Sequence, residues 1–457
     1  MRLTAATADR LPPDVARPGY DWAGQKRGIV HLGIGAFHRA HQAVYTDAAM
    51  AAGDRDWAIT GVSLRSPDMQ AMLMPQDGLY TVAERSAGHE ATRLIGAVRE
   101  VLVAPSAPDA VAAALASPDT RVVTLTVTEK GYHRRSDGTL DVPAVRPGAG
   151  TIYHLLARAF ADRRAAGLPG LTILSCDNLA DNGRVLGAAL GTWLEETAPA
   201  LRGWFEAECA CPSTMVDRIV PAMTDERLDE IAARLGMRDE GAVVTEPFRQ
   251  WVIEDRFAGP RPRWEVAGAA LVAEVAPFEA AKLRMLNGAH SALAYLGLAA
   301  GHDFVHQAVA DPAIRPVVER LMREEAAPTV AAAPGQDLPA YADALLARFA
   351  NPALPHRLAQ IATDGSQKIG QRWLAPLAIN RARGRPCPAT MSALAAWVRF
   401  VRQPAADPMS EALVPRWRDA GEDGIVAALF GPGGLIPAPD ALGPDQRAAL
   451  TRMVRSA

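Results

Sequence analysis

Cysteine is scarce in this chain. Its 457 residues include four, Cys176, Cys209, Cys211 and Cys387, and none stands in a CxxC pair or beside a histidine at zinc-finger spacing. A disulfide framework and a zinc module are therefore excluded as organising principles, no metal site is expected, and a reducing, cytoplasmic setting fits. Long apolar runs are missing too. No uncharged stretch approaches the roughly 20 residues a spanning helix needs, and the opening MRLTAATADRLPP has no apolar core behind its basic residue, so neither a membrane span nor an export signal is expected. Charge of one sign is also absent: 48 Lys plus Arg against 51 Asp plus Glu leave a net charge of -3. No global field draws nucleic acid or an anionic membrane, and any anionic ligand must be held locally.

What remains is the composition of an ordinary globular protein, 49% hydrophobic and 22% charged, at a length that favours two domains. Residues 1–20, rich in Pro, Arg and Asp, read as an extended leader. From Gly28 onward short β-branched runs alternate with Ala- and Leu-rich stretches: RGIVHLGIG, WAITGVSL, TRVVTLTVTE and LTILSCD read as strands, APDAVAAALAS and YHLLARAFADRRAAG as helices. That alternation predicts an α/β domain over 21–276 with a doubly wound, mostly parallel sheet of Rossmann type. From Pro277 the strands stop, and FEAAKLRMLNGAHSALAYLGLAA, AYADALLARFA and ATMSALAAWVRFVRQ predict an all-α domain over 277–457.

The first strand leads into Gly33-Ile34-Gly35-Ala36-Phe37-His38. Two glycines permit a tight turn and let a phosphate approach backbone N–H groups at the start of the next helix, so these six residues are the candidate dinucleotide-binding turn, with His38 standing where a third glycine is usual. The second strand should end near an adenosine ribose. Asp68 there would accept from the hydroxyls of NAD, whereas Arg65 would suit the extra phosphate of NADP; NAD is the expectation, with NADP open.

The segment Lys282-Leu-Arg-Met-Leu-Asn287-Gly-Ala-His290 carries three polar groups on a leucine-rich arc. At about 100° per residue, His290 falls about 80° and Asn287 about 140° from Lys282, with Arg284 and Ser291 turned the other way. The polar arc is thus the face expected to be buried. A buried lysine shifts its pKa downward, toward that of a general base at neutral pH, and Asn287 and His290 are placed to donate to or orient the oxygen whose proton it takes.

Together with IVHLGIGAFHRAHQAVYTD, LTVTEKGYH, SCDNLADNG, STMVDRIVPA, EPFRQWVIED and DGSQKIGQRW, this segment resembles the mannitol dehydrogenase family of long-chain polyol and uronate dehydrogenases, from about Gly28 to past Arg402. The resemblance implies that Lys282 is the general base, that Asn287 and Asn178 polarise the substrate oxygen, and that Asp217 and Lys368 contact substrate. Glu129, just past an apolar strand, would relay the proton to solvent. Gln360 stands where the polyol-oxidising branch is expected to have Arg, and the chain looks more like the uronate-reducing branch, with the substrate carboxylate held by Lys368 and Arg357 or Arg372. The expected activity is hydride transfer between NAD and a sugar acid, by a monomer or small homo-oligomer without nucleic-acid or membrane partners. The competing readings are a polyol 2-dehydrogenase and a silent dinucleotide-binding regulator.

Overall fold

The computed structural model describes residues 1–146 and 150–455. The chain forms two compact units, Met1–Val275 and Ala276–Ala457. The strands of the first unit, in chain order, are β1 Ile29–Leu32, β2 Ile59–Ser63, β3 Tyr80–Ser86, β4 His89–Ile95, β5 Val98–Val103, β6 Val122–Leu125, β7 Thr172–Ser175, β8 Thr214–Asp217, β9 Val243–Thr245, β10 Gln250–Glu254 and β11 Ala270–Val272. The four runs expected as strands are β1, β2, β6 and β7, each buried along its whole length, as strands covered on both faces must be.

The main sheet has the order β5-β2-β1-β6-β7 with every pair parallel. The chain runs outward from β1 through β2 to β5, then returns to the other side of β1, so the direction of winding reverses between β1 and β6. Alternate residues feed opposite faces. Val30, Leu32, Val123 and Leu125 pack with the helices Ile152–Ala165 and Asn182–Thr197, while Ile29, Ile59, Val122 and Leu174 pack with Gln42–Ala51 and the indoles of Trp251 and Trp264.

Two small sheets, β4-β3-β9 and β11-β10-β8, were not legible in the sequence. β4 alternates exposed and half-buried residues over its first half, and β9 and β11 span three residues each, too short for a period to show. The first twenty residues are not a leader set apart from the domain. Arg2 bridges Arg238 and Ala16 bridges Arg93, and Leu3, Leu11, Val15 and Tyr20 are buried. Four apolar side chains spaced among the prolines give this segment enough surface to dock as part of the first unit.

The second unit is helical, and among its described residues the sole β contact is an isolated bridge between Phe304 and Arg357. Trp373, Trp397, Leu293, Met322 and Phe430 form its core. Three of its helices pass through π-helical turns, at Lys282–Asn287, Leu321–Ala326 and Gly370–Leu374. No helix among the described residues is long and apolar enough to cross a membrane.

Candidate functional site

In the first unit the chemistry gathers at the C-terminal ends of β1, β2 and β6, where the winding reverses and open α/β sheets place their ligands. A cleft of about 340 Å³ opens there, lined by Gly33, Ile34, Ser63, Leu64, Arg65 and the loop Thr126–Thr128. Gly33 has φ +94°, and a Cβ at this position would collide with the Thr126 carbonyl, so the turn needs glycine both for its conformation and for its closeness to β6. Gly35 caps the short helix Ala36–Ala40, which breaks at His41 and resumes as Gln42–Ala51.

Of the expected cofactor set Gly33, Ile34 and Arg65 line the cleft, whereas Gly35, Ala36, Phe37, His38 and Asp68 do not; Ala36 and Phe37 pack against the apolar core, Phe37 stacking on His41. His38 is fully buried beneath the turn, its ring stacked on that of His31 with centroids 3.4 Å apart; one helical turn on from Gly35, it faces the sheet rather than the cleft. Asp68 opens the helix Asp68–Leu73 with its carboxylate accepting from the Ser66 hydroxyl at 2.8 Å, and it does not line the cleft; Arg65, exposed, does.

The ends of β6 and β7 are strapped together by Asp177, which sequence reasoning passed over in favour of its neighbour Asn178. Its buried carboxylate accepts from the Val127 N–H at 3.2 Å, the Thr128 N–H at 2.8 Å and the Tyr132 hydroxyl at 2.8 Å. Burial raises its pKa even though these donors pull it down. Thr128 takes φ +64° within this strap, and on either side of it Glu129 and Asn178 are exposed. Asp217 ends β8, buried and opposite Gln250. Next to it Arg218 is buried, paired with Glu84 and donating to the carbonyls of Ala40 and Glu246.

In the second unit the helix Ala276–Ala281 widens into the π turn Lys282–Asn287 and continues as Gly288–Ala299. Hydrogen bonding from i to i+5 brings Asn287 nearly in line with Lys282, and the regular 3.6-residue wheel fails across this stretch. Ser291, expected to point outward, is buried and accepts from the Arg372 guanidinium at 2.6 Å, while Lys282, Asn287 and His290 are each half-buried. Arg284 is half-buried as well, its guanidinium donating to the Thr329 carbonyl.

Around His290 the fold assembles residues from three further segments. Its ring stacks on Phe349 and meets His356 edge-on, and its pKa is held well below the ordinary histidine value, first by burial and then by His356, Arg372, Arg348 and Lys368. Arg372 rides on the π turn Gly370–Leu374 and also reaches the Asn287 carbonyl at 3.4 Å. Lys368 donates to the Thr363 carbonyl at 2.8 Å, and its own pKa is lowered by burial and by Arg372. Its short helix is held by Asp407, which accepts from the Ser366 N–H and hydroxyl; Gly365 is required there because a Cβ would run into the Tyr295 hydroxyl and the Trp397 indole. Arg357 is exposed and lies over the Phe304 ring, and it is not among the cations acting on His290. Arg348 takes that place; nothing in the sequence marked it, because its helix is brought to His290 only by folding. No group of three or more His, Cys, Asp or Glu among the described residues is arranged to hold a metal ion.

The chain has a doubly wound sheet with its cleft at the reversal of winding, followed by a helical unit that carries Lys282, Asn287 and His290 along one continuous helix, and it is an oxidoreductase acting on CH–OH groups. Residues 27–266 match the model of the mannitol dehydrogenase Rossmann domain and residues 274–425 that of the mannitol dehydrogenase C-terminal domain, and the chain belongs to the mannitol dehydrogenase family. It is 43% identical over 415 residues to D-mannonate oxidoreductase of Escherichia coli, covering 88% of this chain and 85% of that one. It is 39% identical to a mannitol 2-dehydrogenase of Pyrenophora tritici-repentis over 85% of this chain and 71% of the relative. Among solved structures, Pseudomonas fluorescens mannitol 2-dehydrogenase in complex with NAD and D-mannitol superposes with a TM-score of 0.82 at 34% identity, covering 99% of this chain and 96% of that one. A D-sorbitol dehydrogenase superposes with a TM-score of 0.91 at 30% identity over the same shares.

Proposed function

We propose that this protein interconverts D-fructuronate and D-mannonate with NAD as its redox partner. The observation that carries the sugar-acid reading is the group of cations around His290. Arg348, Lys368 and Arg372 all lower the pKa of that one imidazole, and two of them, Lys368 and Arg372, bear lowered pKa values of their own from burial. Partly desolvated cations converging on a neutral imidazole suit a carboxylate far better than an uncharged polyol.

The cleft of the first unit suits a dinucleotide: the glycine turn at Gly33 and Ile34 forms part of its wall and Arg65 supplies a cation at its rim. NAD, when bound, supplies the hydride acceptor or donor. The rest of the chemistry belongs to side chains. Lys282 removes the hydroxyl proton in oxidation and returns it in reduction, Asn287 and Asn178 donate to the oxygen on which charge develops, and Glu129, exposed past β6, passes the proton to water. Asp217 is assigned to substrate hydroxyls. His290, held neutral, orients by hydrogen bonding rather than by charge.

A polyol 2-dehydrogenase is the second reading, favoured by the similarity to mannitol 2-dehydrogenases. Initial rates with D-fructuronate, D-tagaturonate and D-fructose, each with NADH, separate the two. The uronate reading expects D-fructuronate to be reduced fastest, with a KM that rises as salt screens the cations; preference for D-fructose with a salt-independent KM would overturn it.

A further inference from the structure

Beneath the cleft of the first unit, three side-chain hydrogen bonds run in series from the interior of β6 to the glycine turn. His31, in the middle of β1 and fully buried, has Nδ1 2.7 Å from the Thr124 hydroxyl and Nε2 2.9 Å from the Thr126 hydroxyl; the Thr126 hydroxyl lies 2.9 Å from the Gly33 carbonyl oxygen. The last link fixes the direction of the others. A carbonyl only accepts, so the single proton of Thr126 goes to Gly33, and toward His31 that oxygen is the acceptor. Nε2 therefore carries the imidazole proton, and bare Nδ1 accepts from Thr124. Burial pushes the His31 pKa down to about 3, so the ring stays neutral in this one tautomer at any working pH. His38 lies flat against its face at an interplanar angle of 17° and keeps the ring from turning.

The chain of bonds ends on a peptide group that spans the reversal of winding, next to the Leu32–Gly33 peptide, whose carbonyl accepts from the Thr126 N–H and whose N–H donates to the Val62 carbonyl. The Gly33 carbonyl is tied to Thr126, just past the end of β6, while the Ile34 N–H of the same peptide donates to the Val62 carbonyl of β2 at 3.2 Å. Its plane is thus held from both neighbouring strands at a turn whose φ of +94° no other residue type adopts readily. Gly33, Ile34 and Thr126 all line the cleft; His31, at 0% exposure, touches nothing bound in it.

We propose that His31 and Thr126 are positioning residues for the dinucleotide, a tautomer-locked relay that sets the tilt of the Gly33–Ile34 peptide and through it the affinity of the cleft for NAD(H). The proposal rests on the cleft being the cofactor site. Its test is the dissociation constant for NADH, followed by fluorescence, alongside kcat and the KM of each substrate, for the full chain and the variants Thr126→Val, Thr126→Ser and His31→Phe. Thr126→Val keeps the side-chain volume and removes the relay's last donor, and should raise the NADH Kd about tenfold, the effect of one or two lost hydrogen bonds. His31→Phe should do the same from a position that cannot touch the ligand, and Thr126→Ser should restore wild-type affinity. The change should appear in Kd and in KM for the dinucleotide, with kcat at saturating NADH nearly preserved.

Folded Thr126→Val and His31→Phe proteins that bind NADH within twofold of wild type would overturn the relay, as would a loss confined to kcat, the mark of a merely destabilised protein. If His31→Phe fails to fold, the near-isosteric pair at position 126 decides. A wild-type chain that does not bind NADH at all would bring down the cofactor reading and this proposal with it, whereas a wild type that binds and variants that bind equally well would remove the relay alone.

Discussion

Replacing Asp177 by Asn is a stringent trial of how the β6 and β7 ends are held. The carboxylate uses Oδ1 for the Thr128 N–H and Oδ2 for the Val127 N–H and the Tyr132 hydroxyl. An amide oxygen in the Oδ1 position keeps the first bond in neutral, weaker form. The NH2 group then occupies the Oδ2 position. Tyr132 adapts, because its hydroxyl lies 2.5 Å from the Ser175 hydroxyl and can turn its proton there while accepting from the new amide. Val127 cannot adapt, since its N–H would face another N–H. A buried donor left without an acceptor costs about 1–3 kcal/mol, and the relief of burying a neutral group in place of a charge offsets part of that, leaving a net cost of about 1–2 kcal/mol.

The cost falls beside Thr128, whose positive φ already stores about 1–3 kcal/mol of strain, so the loop relaxes before the sheet does. Val127 and Thr128 line the cleft and Glu129 follows them, so the NADH Kd should rise and kcat fall, each by about three- to thirtyfold, while the melting temperature drops only a few degrees. Stopped-flow reduction with NADH titrations reads both constants. Asp177→Asn with wild-type kinetics and unchanged melting would refute the strap.

Lys282→Ala should lower kcat/KM by about two to four orders of magnitude at neutral pH with NADH affinity retained, measured by initial rates and fluorescence titration; a tenfold loss or less would remove the lysine from its acid–base role. Asp47 is buried, accepts from the Tyr20 hydroxyl and the Gly96 N–H, and has its pKa raised by burial from 3.8 to about 6. A raised carboxyl contributes stability fully below the unfolded value and loses it as pH climbs through the folded one, about 3 kcal/mol in all. Wild type should therefore lose melting temperature between pH 4 and pH 7.5 relative to Asp47→Asn, and parallel profiles would contradict this. Arg65→Ala should weaken NADPH about tenfold and leave NADH within twofold if the guanidinium at the cleft rim receives a 2′-phosphate, as competitive titration of the two dinucleotides would report.

The sequence by itself determined the architecture and the family. Fully buried strands in a parallel sheet must be unbroken apolar runs, so β1, β2, β6 and β7 announced themselves, and the change from β-branched to Ala/Leu-rich segments near Pro277 separated the helical unit. Gly33 was legible because only glycine accepts its φ, and Lys282 because a cation on a leucine-rich stretch demands an explanation.

Tertiary structure alone decided the rest. A π turn shifts every later residue around the helix, which put Ser291 inside and made the regular wheel wrong. His38 faces β1 instead of a phosphate, Asp68 is held by Ser66, and Arg348 replaces Arg357 beside His290, since which side chains meet depends on helix packing over separations that local periodicity does not carry. The strap at Asp177 and the relay through His31 lie in the same class. Each residue looks like an ordinary strand or strand-end position until the neighbouring strand supplies its partners, and hydrogen bonds between strands distant in sequence leave no period to read.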